Sequence, residues 1–184
     1  LEASLAALTG HSPFAPGLTI LERGTALGRQ QTRTFLSDSL TAQGYTVELH
    51  EYRTNGRNVL ARLPAVAPTD EWILVGAHLD SVRNAGANDN GTGSSAVLEM
   101  ARVLRDLPDR RVNLLFAFFD EEELGLVGSY ALAAKLKADR VRVTSVHTID
   151  MMGWDGDKDR AVEIEQPDGG LWEYYQQANQ RHGL

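Results

Sequence analysis

The hydrophobic pattern alternates between stretches typical of strands and stretches typical of helices. Polar and apolar residues alternate over Tyr45–Tyr52 and Asn58–Leu63, as in half-buried strands. Trp72–Ala77 and Val112–Phe119 are short, almost wholly apolar runs, which predict strands buried on both faces. Two later strands are predicted at Val141–Ile149 and Ala161–Gln166.

Other stretches place apolar side chains three or four residues apart, the spacing of one face of a helix. Gly44 follows Thr25–Gln43, and Pro108 follows Thr92–Leu107; both residue types commonly end a helix. Two more helices are predicted at Leu126–Ala138 and Leu171–Arg181.

Strands that alternate with helices predict an α/β fold: a mostly parallel, mixed and twisted sheet with helices on both faces. The first two predicted strands lie close together in the chain, so we expect them to pair as an antiparallel edge. Residues 1–17 are loosely patterned, and Pro13 and Pro16 exclude a long helix there. No linker divides the chain, which predicts a single domain over 1–184.

The amino-acid composition and net charge disfavour some classes of binding partner. Lysine and arginine number 18 against 25 acidic residues, a net charge of −7, and no basic cluster stands out. This balance argues against nucleic acid and anionic membranes as partners. The sequence contains no cysteine, so a metal site here would have to use histidine, aspartate and glutamate.

Acidic residues follow three of the predicted strands. His78 and Asp80 come directly after the first apolar strand, the run 120–123 (DEEE) follows the second, and Asp150 follows the third. The carboxyl ends of parallel strands meet at one edge of a sheet, where α/β proteins bind ligands. Acids gathered there repel one another unless a cation neutralises them, and imidazole with carboxylates suits zinc, with manganese or cobalt as alternatives.

A loop rich in glycine and asparagine, 86–93 (GANDNGTG), separates the first apolar strand from its helix. Such a loop can fold tightly and direct Asp89 back toward the strand ends. We also expect Asn90 or Thr92 to cap the helix that follows.

These motifs together resemble metallopeptidase family 28, the co-catalytic zinc aminopeptidases related to bacterial leucine aminopeptidases. The similarity is carried by ordered blocks and covers roughly residue 20 to the end. The blocks are GAHLDSV (76–82), GANDNGTG (86–93), FFDEEELGLVGS (118–129) and TIDMMG (148–153). The resemblance implies the zinc-aminopeptidase, phosphorylase/hydrolase-like fold.

The resemblance also implies roles for individual residues. His78 and Asp150 would hold one zinc ion, Asp89 would bridge two, and Glu123 would bind the second. Asp80 would orient the ring of His78 from behind.

Glu122 would be the general base of metal-assisted hydrolysis, taking a proton from water and passing it to the leaving amine. Leu124 and Gly125 anchor the assignment of Glu122 and Glu123 within the acidic run. We therefore interpret Asp120 and Glu121 as acids of a loop or a helix start.

The sequence departs from the family in one respect. The family's second zinc takes a histidine well beyond the TIDM motif, and here the only histidine after Asp150 is His182. His182 ends the last predicted helix, where a histidine commonly interacts with the helix C-terminus. We therefore expect two zinc ions in the full pattern but an incomplete second site here, with the last strand and helix lost at the C-terminus.

The expected function is an aminopeptidase acting on peptides with a free N-terminus. Two alternatives remain: a glutaminyl cyclase-like enzyme with one zinc, and a non-catalytic binding module of the same fold. Intact His78, Asp89, Glu122, Glu123 and Asp150 count against the module. The start at Leu1 and the family resemblance predict a secreted or periplasmic protein, and the oligomeric state stays open.

Overall fold

The computed structural model describes residues 1–158, 161, 163–165 and 170–183. Contacts divide the chain into two compact units, Leu1–Gly153 and Trp154–Leu184. The first unit contains the sheet and the candidate site, and the second contains a C-terminal helix. In the part of the chain that the structure describes, no helix is both long and apolar enough to span a bilayer.

The strands are confirmed close to their predicted positions. They are β1 (Val47–Arg53), β2 (Gly56–Leu63), β3 (Glu71–His78), β4 (Asn113–Phe119) and β5 (Arg142–Thr148). The strand predicted at Ala161–Gln166 falls partly outside the described residues.

The helices are α1 (Glu2–Leu8), α2 (Ala26–Ala42), α3 (Gly93–Arg105), α4 (Val127–Ala138) and α5 (Leu171–His182). The last four confirm the helical predictions. Thr25 caps α2, since its side chain accepts a hydrogen bond from the main-chain N–H of Gly28. Helix α1 was not predicted; it is short and ends before the prolines that rule out a longer helix.

The strands form one sheet in the order β1-β2-β4-β3-β5. β3 lies at the centre of a parallel group, between β4 and β5. β2 pairs antiparallel with both β1 and β4, so the sheet is mixed and the predicted antiparallel edge is confirmed. The carboxyl ends of β3, β4 and β5 therefore lie side by side.

Helices cover both faces of the sheet and bury two hydrophobic clusters. On one face α2 and α3 pack through Leu36, Leu40 and Val97 against the strands. On the other face α4 contributes Leu132 and Leu136. The buried strands thus form a rigid frame whose parallel ends support the chemistry described next.

Candidate metal centre

Three predicted site residues converge where the parallel strands end. Nε2 of His78 lies 2.9 Å from Oδ1 of Asp89 and 3.7 Å from Oδ1 of Asp150. One ligand atom from each residue fits within 4.8 Å of the others, as the ligands of a single metal ion would. His78 is buried, whereas the side chains of Asp89 and Asp150 are about half exposed, so the group opens to solvent.

Strand geometry explains how His78 and Asp150 meet. His78 is the last residue of β3, and the parallel strand β5 ends two residues before Asp150. The main-chain N–H of Ile149 donates to the carbonyl of Gly76, which extends the β3–β5 pairing to the edge of the site. Side chains that leave adjacent parallel strands at the same edge are close neighbours.

Asp89 reaches the site because its loop is fastened to the segment after β5. The amide of Asn90 donates to the carbonyl of Ile149, and Oδ1 of Asn88 accepts the main-chain N–H of Gly153. Oδ1 of Asn90 also accepts the N–H of Gly93 at the start of α3. Of the two predicted capping residues, Asn90 therefore supplies the side-chain bond. The Asp89–Asn90 peptide bond is cis.

Asp80 lies on the opposite side of the His78 ring from Asp89. Its Oδ1 is 3.4 Å from Nδ1 of His78, a long contact that leaves this buried nitrogen without a well-formed hydrogen bond. The same carboxylate accepts the main-chain N–H groups of Glu122 (3.1 Å) and Glu123 (3.2 Å). Asp80 thus links the ring of His78 to the turn that carries the two glutamates.

Glu122 and Glu123 occupy different positions relative to the ligand group. Oε2 of Glu122 is 4.0 Å from Nε2 of His78, and the side chain is about one-third exposed. Among the described residues, Glu123 does not join the group formed by His78, Asp89 and Asp150. The structure therefore places Glu122, but not Glu123, against these three residues.

The electrostatics of the site show an excess of negative charge. Burial lowers the pKa of His78, but the adjacent carboxylates of Asp150 and Asp80 favour the protonated ring, outweigh burial and raise the pKa to about 10. Burial raises the pKa values of Glu122 and Glu123, and neighbouring acids raise them further. A proton on the imidazole thus takes the place of a cation, and a divalent ion would suit the same position.

The first two acids of the run, Asp120 and Glu121, lie in the loop between β4 and α4, in agreement with the prediction of loop acids. The sequence did not indicate their burial: both side chains are almost fully buried. Asp120 is paired with Arg29 (2.9 Å) and Arg33 (2.7 Å). Glu121 accepts hydrogen bonds from Arg29, Tyr52 and Arg53.

Sequence reasoning also missed Arg23. This arginine is fully buried and donates to main-chain carbonyls around the Asp89 loop. The acceptors of Arg23 lie in distant parts of the chain, so the local sequence gives no signal of such a role. His182 ends α5, as predicted, and its side chain is exposed.

A groove with a volume of about 680 Å³ adjoins the candidate centre. His78, Glu122 and Asp150 are among the residues that line it. The rest of its lining is largely apolar and includes residues of β3, α4 and β5, such as Leu74 and Tyr130. Residues of the candidate centre therefore share this groove with a largely apolar surface.

Comparison with known proteins agrees with this arrangement. Residues 58–184 match the profile of peptidase family M28. Aminopeptidase YwaD of Bacillus subtilis is 32% identical over 169 residues, covering 89% of this chain and 34% of that protein. The chain spans about a third of the length of the curated relatives it matches.

Solved structures give the same fold. A zinc aminopeptidase from Bacillus subtilis has a TM-score of 0.61 and 32% identity, covering 69% of this chain and 32% of that one. A glutaminyl cyclase from an Acidobacteriales bacterium has a TM-score of 0.72 over 98% of this chain and 68% of its own, at 23% identity, which shows the fold alone. The resemblance inferred from the four motifs is confirmed, and the chain belongs to peptidase family M28.

Proposed function

We propose that this chain carries the metal centre of a zinc-dependent aminopeptidase. The observation that supports the proposal most strongly is the convergence of His78, Asp89 and Asp150 within 4.8 Å at the ends of parallel strands. The similarity to aminopeptidases, including a zinc aminopeptidase of known structure, agrees with it.

The residues present fit a zinc ion. One imidazole nitrogen and two carboxylate oxygens make up a ligand set that zinc accepts, and a fourth position toward solvent suits a catalytic site. Asp80 lies behind His78, where a carboxylate fixes the orientation of a histidine ligand. When bound, zinc would polarise a substrate carbonyl and lower the pKa of water.

Glu122 is the residue that would move the proton. It lies beside the ligand group without belonging to it, and it is partly exposed, so water and substrate can reach it. Its pKa is raised by burial and by the nearby acids, which brings a carboxylate closer to the range where it both accepts and returns a proton. Asp80 holds the main chain of Glu122 in place.

The acids of the site also suit the proposed substrate, a peptide with a free N-terminus. Its α-amino group is positively charged near neutral pH, and the carboxylates of Asp89, Glu122 and Glu123 provide negative charge at the site. We expect this charge to favour peptides with a free amine over N-acetylated ones.

Metal content tests the proposal directly. The chain is loaded with zinc, desalted and analysed for metal, beside Asp89→Asn and the control Asp38→Asn, an exposed acid on α2. We expect close to one zinc per chain for the wild type and the control, and much less for Asp89→Asn. A value near two would require a further ligand, and zinc retention equal in all three chains would contradict the site.

Glutaminyl cyclization is the second candidate, favoured because the described residues form one group of three candidate metal ligands. An amino-acid anilide and an N-terminal glutaminyl peptide, each offered to the zinc-loaded chain, separate the two reactions. Hydrolysis of the anilide supports the aminopeptidase. Ring closure of the glutaminyl peptide without any hydrolysis would replace it with the cyclase.

A further inference from the structure

Among the described residues, Arg23 is the largest fully buried side chain, and its guanidinium donates four hydrogen bonds to main-chain carbonyls. Nε donates to the carbonyl of Leu79 (2.8 Å). Nη1 donates to the carbonyls of Leu8 (2.9 Å) and Ala85 (2.5 Å), and Nη2 donates to that of Gly86 (2.8 Å). No carboxylate of the described residues hydrogen-bonds to this guanidinium.

The acceptors belong to the two segments that deliver the candidate metal ligands. Leu79 stands between His78 and Asp80, directly after β3. Gly86 lies three residues before Asp89 and begins its loop. One rigid, planar group therefore spans the strand end that carries the imidazole and the loop that carries the carboxylate.

The loop is built around the guanidinium. Gly86 adopts a left-handed conformation with φ +60°, and its carbonyl also accepts the N–H of Gly91, which closes the loop around Asp89. A Cβ atom at Gly86 would lie 2.5 Å from Nη2 of Arg23. Only glycine leaves room for both the backbone turn and the close approach of the guanidinium.

Burying an arginine among carbonyls is costly, because carbonyl dipoles replace water without supplying a counter-charge. Its charge faces the acidic cluster from the interior side: Asp80, Asp89 and Glu123 are the acids whose attraction it feels. A hydrophobic side chain could fill the same volume at lower cost. What an arginine adds is a rigid set of donors, which holds the carbonyls of several segments at fixed distances from one another.

We propose that Arg23 is a positioning residue for the metal centre: it holds the segments carrying His78 and Asp89 in register and thereby sets the affinity for zinc. This inference rests on the proposed zinc site. Arg23 touches neither the ligand atoms nor substrate, so it acts through the main chain alone.

The test measures zinc dissociation constants by competition with a chromophoric chelator for the whole 184-residue chain. Arg23→Lys keeps the charge but cannot span four carbonyls, and Arg23→Met removes charge and donors together. We expect zinc affinity to fall about tenfold to a hundredfold in Arg23→Lys, as for other residues that orient ligands, and further in Arg23→Met. Cobalt loaded in place of zinc should give an altered visible absorption spectrum in both variants.

A control separates positioning from general stability. Leu40→Ala creates a cavity in the core on α2 and lowers stability without contacting the site. Thermal unfolding in chelator ranks the three variants, and Leu40→Ala should bind zinc and cobalt like the wild type at temperatures where it is folded.

The outcomes are distinct. Wild-type affinity in folded Arg23→Lys and Arg23→Met would overturn the positioning role while leaving the zinc site intact. Failure of both to fold would assign Arg23 to global stability and overturn the role as well. Failure of the wild type to bind zinc would instead remove the proposed function.

Discussion

Asp120 and Glu121 lie buried among arginines, whereas the next two acids in the chain, Glu122 and Glu123, belong to the turn whose main-chain N–H groups donate to Asp80 at the sheet edge. In the described residues, no arginine or lysine side chain donates a hydrogen bond to the second pair. The negative charge of the two halves of this acidic run is therefore balanced in different ways. Arginines of the protein neutralise the first pair, whereas the proposed zinc ion would offset the negative charge around the second.

The pKa values of the two regions reflect this difference. Burial would raise the pKa of Glu121, but hydrogen bonds from Arg53 and Tyr52 and the charge of Arg29 outweigh it and lower the value. At the site, the surrounding acids add to the effect of burial on Glu122. Paired acids therefore serve the fold, and acids held close together without an arginine partner indicate the functional site.

The largest expected effect is on turnover. Glu122→Gln should keep zinc, because Glu122 lies outside the ligand group, but should lower kcat about 10²- to 10⁴-fold through loss of the proton acceptor. Anilide hydrolysis and zinc content are measured on the same preparation, with Asp38→Asn as the control. Turnover within a few-fold of the wild type would remove Glu122 from the base role.

Removing an arginine partner of the buried acids should lower the stability of the fold and not the turnover. Arg33→Met leaves Asp120 with part of its charge unpaired in the interior, and we expect the free energy of unfolding to fall by about 3 kcal/mol. Arg102→Met removes an exposed partner of Glu99 on α3 and should leave the stability nearly unchanged, because solvent screens exposed ion pairs. Chemical denaturation with and without zinc measures both.

The comparison predicts that zinc does not compensate for the loss of Arg33. The decrease in unfolding free energy should be the same with and without the metal. Selective rescue of Arg33→Met by zinc would show that the two regions share one charge balance and would contradict their separation.

Zinc affinity should depend on pH through His78. In the metal-free chain its raised pKa of about 10 keeps the imidazole protonated near neutrality, and zinc binds only the neutral ring. Affinity should therefore rise roughly tenfold per pH unit below that pKa, with about one proton released per zinc. Calorimetry in buffers of different ionisation enthalpy counts the protons. Affinity independent of pH between about 6.5 and 8.5 would show a neutral His78.

The smallest effect concerns Glu121. Its pKa is lowered in the folded chain, so the stability it contributes is present above its unfolded pKa of about 4.3 and is lost as pH falls through the folded value. Glu121→Gln should cost about 1 kcal/mol near neutral pH, and the difference from wild type should shrink in acid. Denaturation between about pH 3 and 7 measures it. A difference that grew in acid would reverse the assigned direction.

Residues whose partners are local, or whose place follows from strand ends, were predictable from the sequence. His78 and Asp150 follow apolar runs, and parallel strands bring such ends together whatever the details of packing. The glycines and asparagines around Asp89 predict a tight loop.

Residues whose environment depends on distant parts of the chain were not predictable. The sequence places Asp120 in a loop but does not show its burial, because its partners Arg29 and Arg33 lie on α2, about 90 positions earlier in the chain. Helix α1 is too short to show a helical period clearly and has no side-chain cap, so its position depends on tertiary contacts.

Arg23 donates to the carbonyls of Leu8 in α1 and of Gly86 in the Asp89 loop, so it links the two segments, and thermodynamic reciprocity applies to that link. If docking of α1 favours zinc binding, zinc binding must favour docking of α1 by the same factor. Amide hydrogens of α1 would then exchange more slowly after zinc is added, although the helix supplies no ligand. The first eight residues would report on an ion that they never touch.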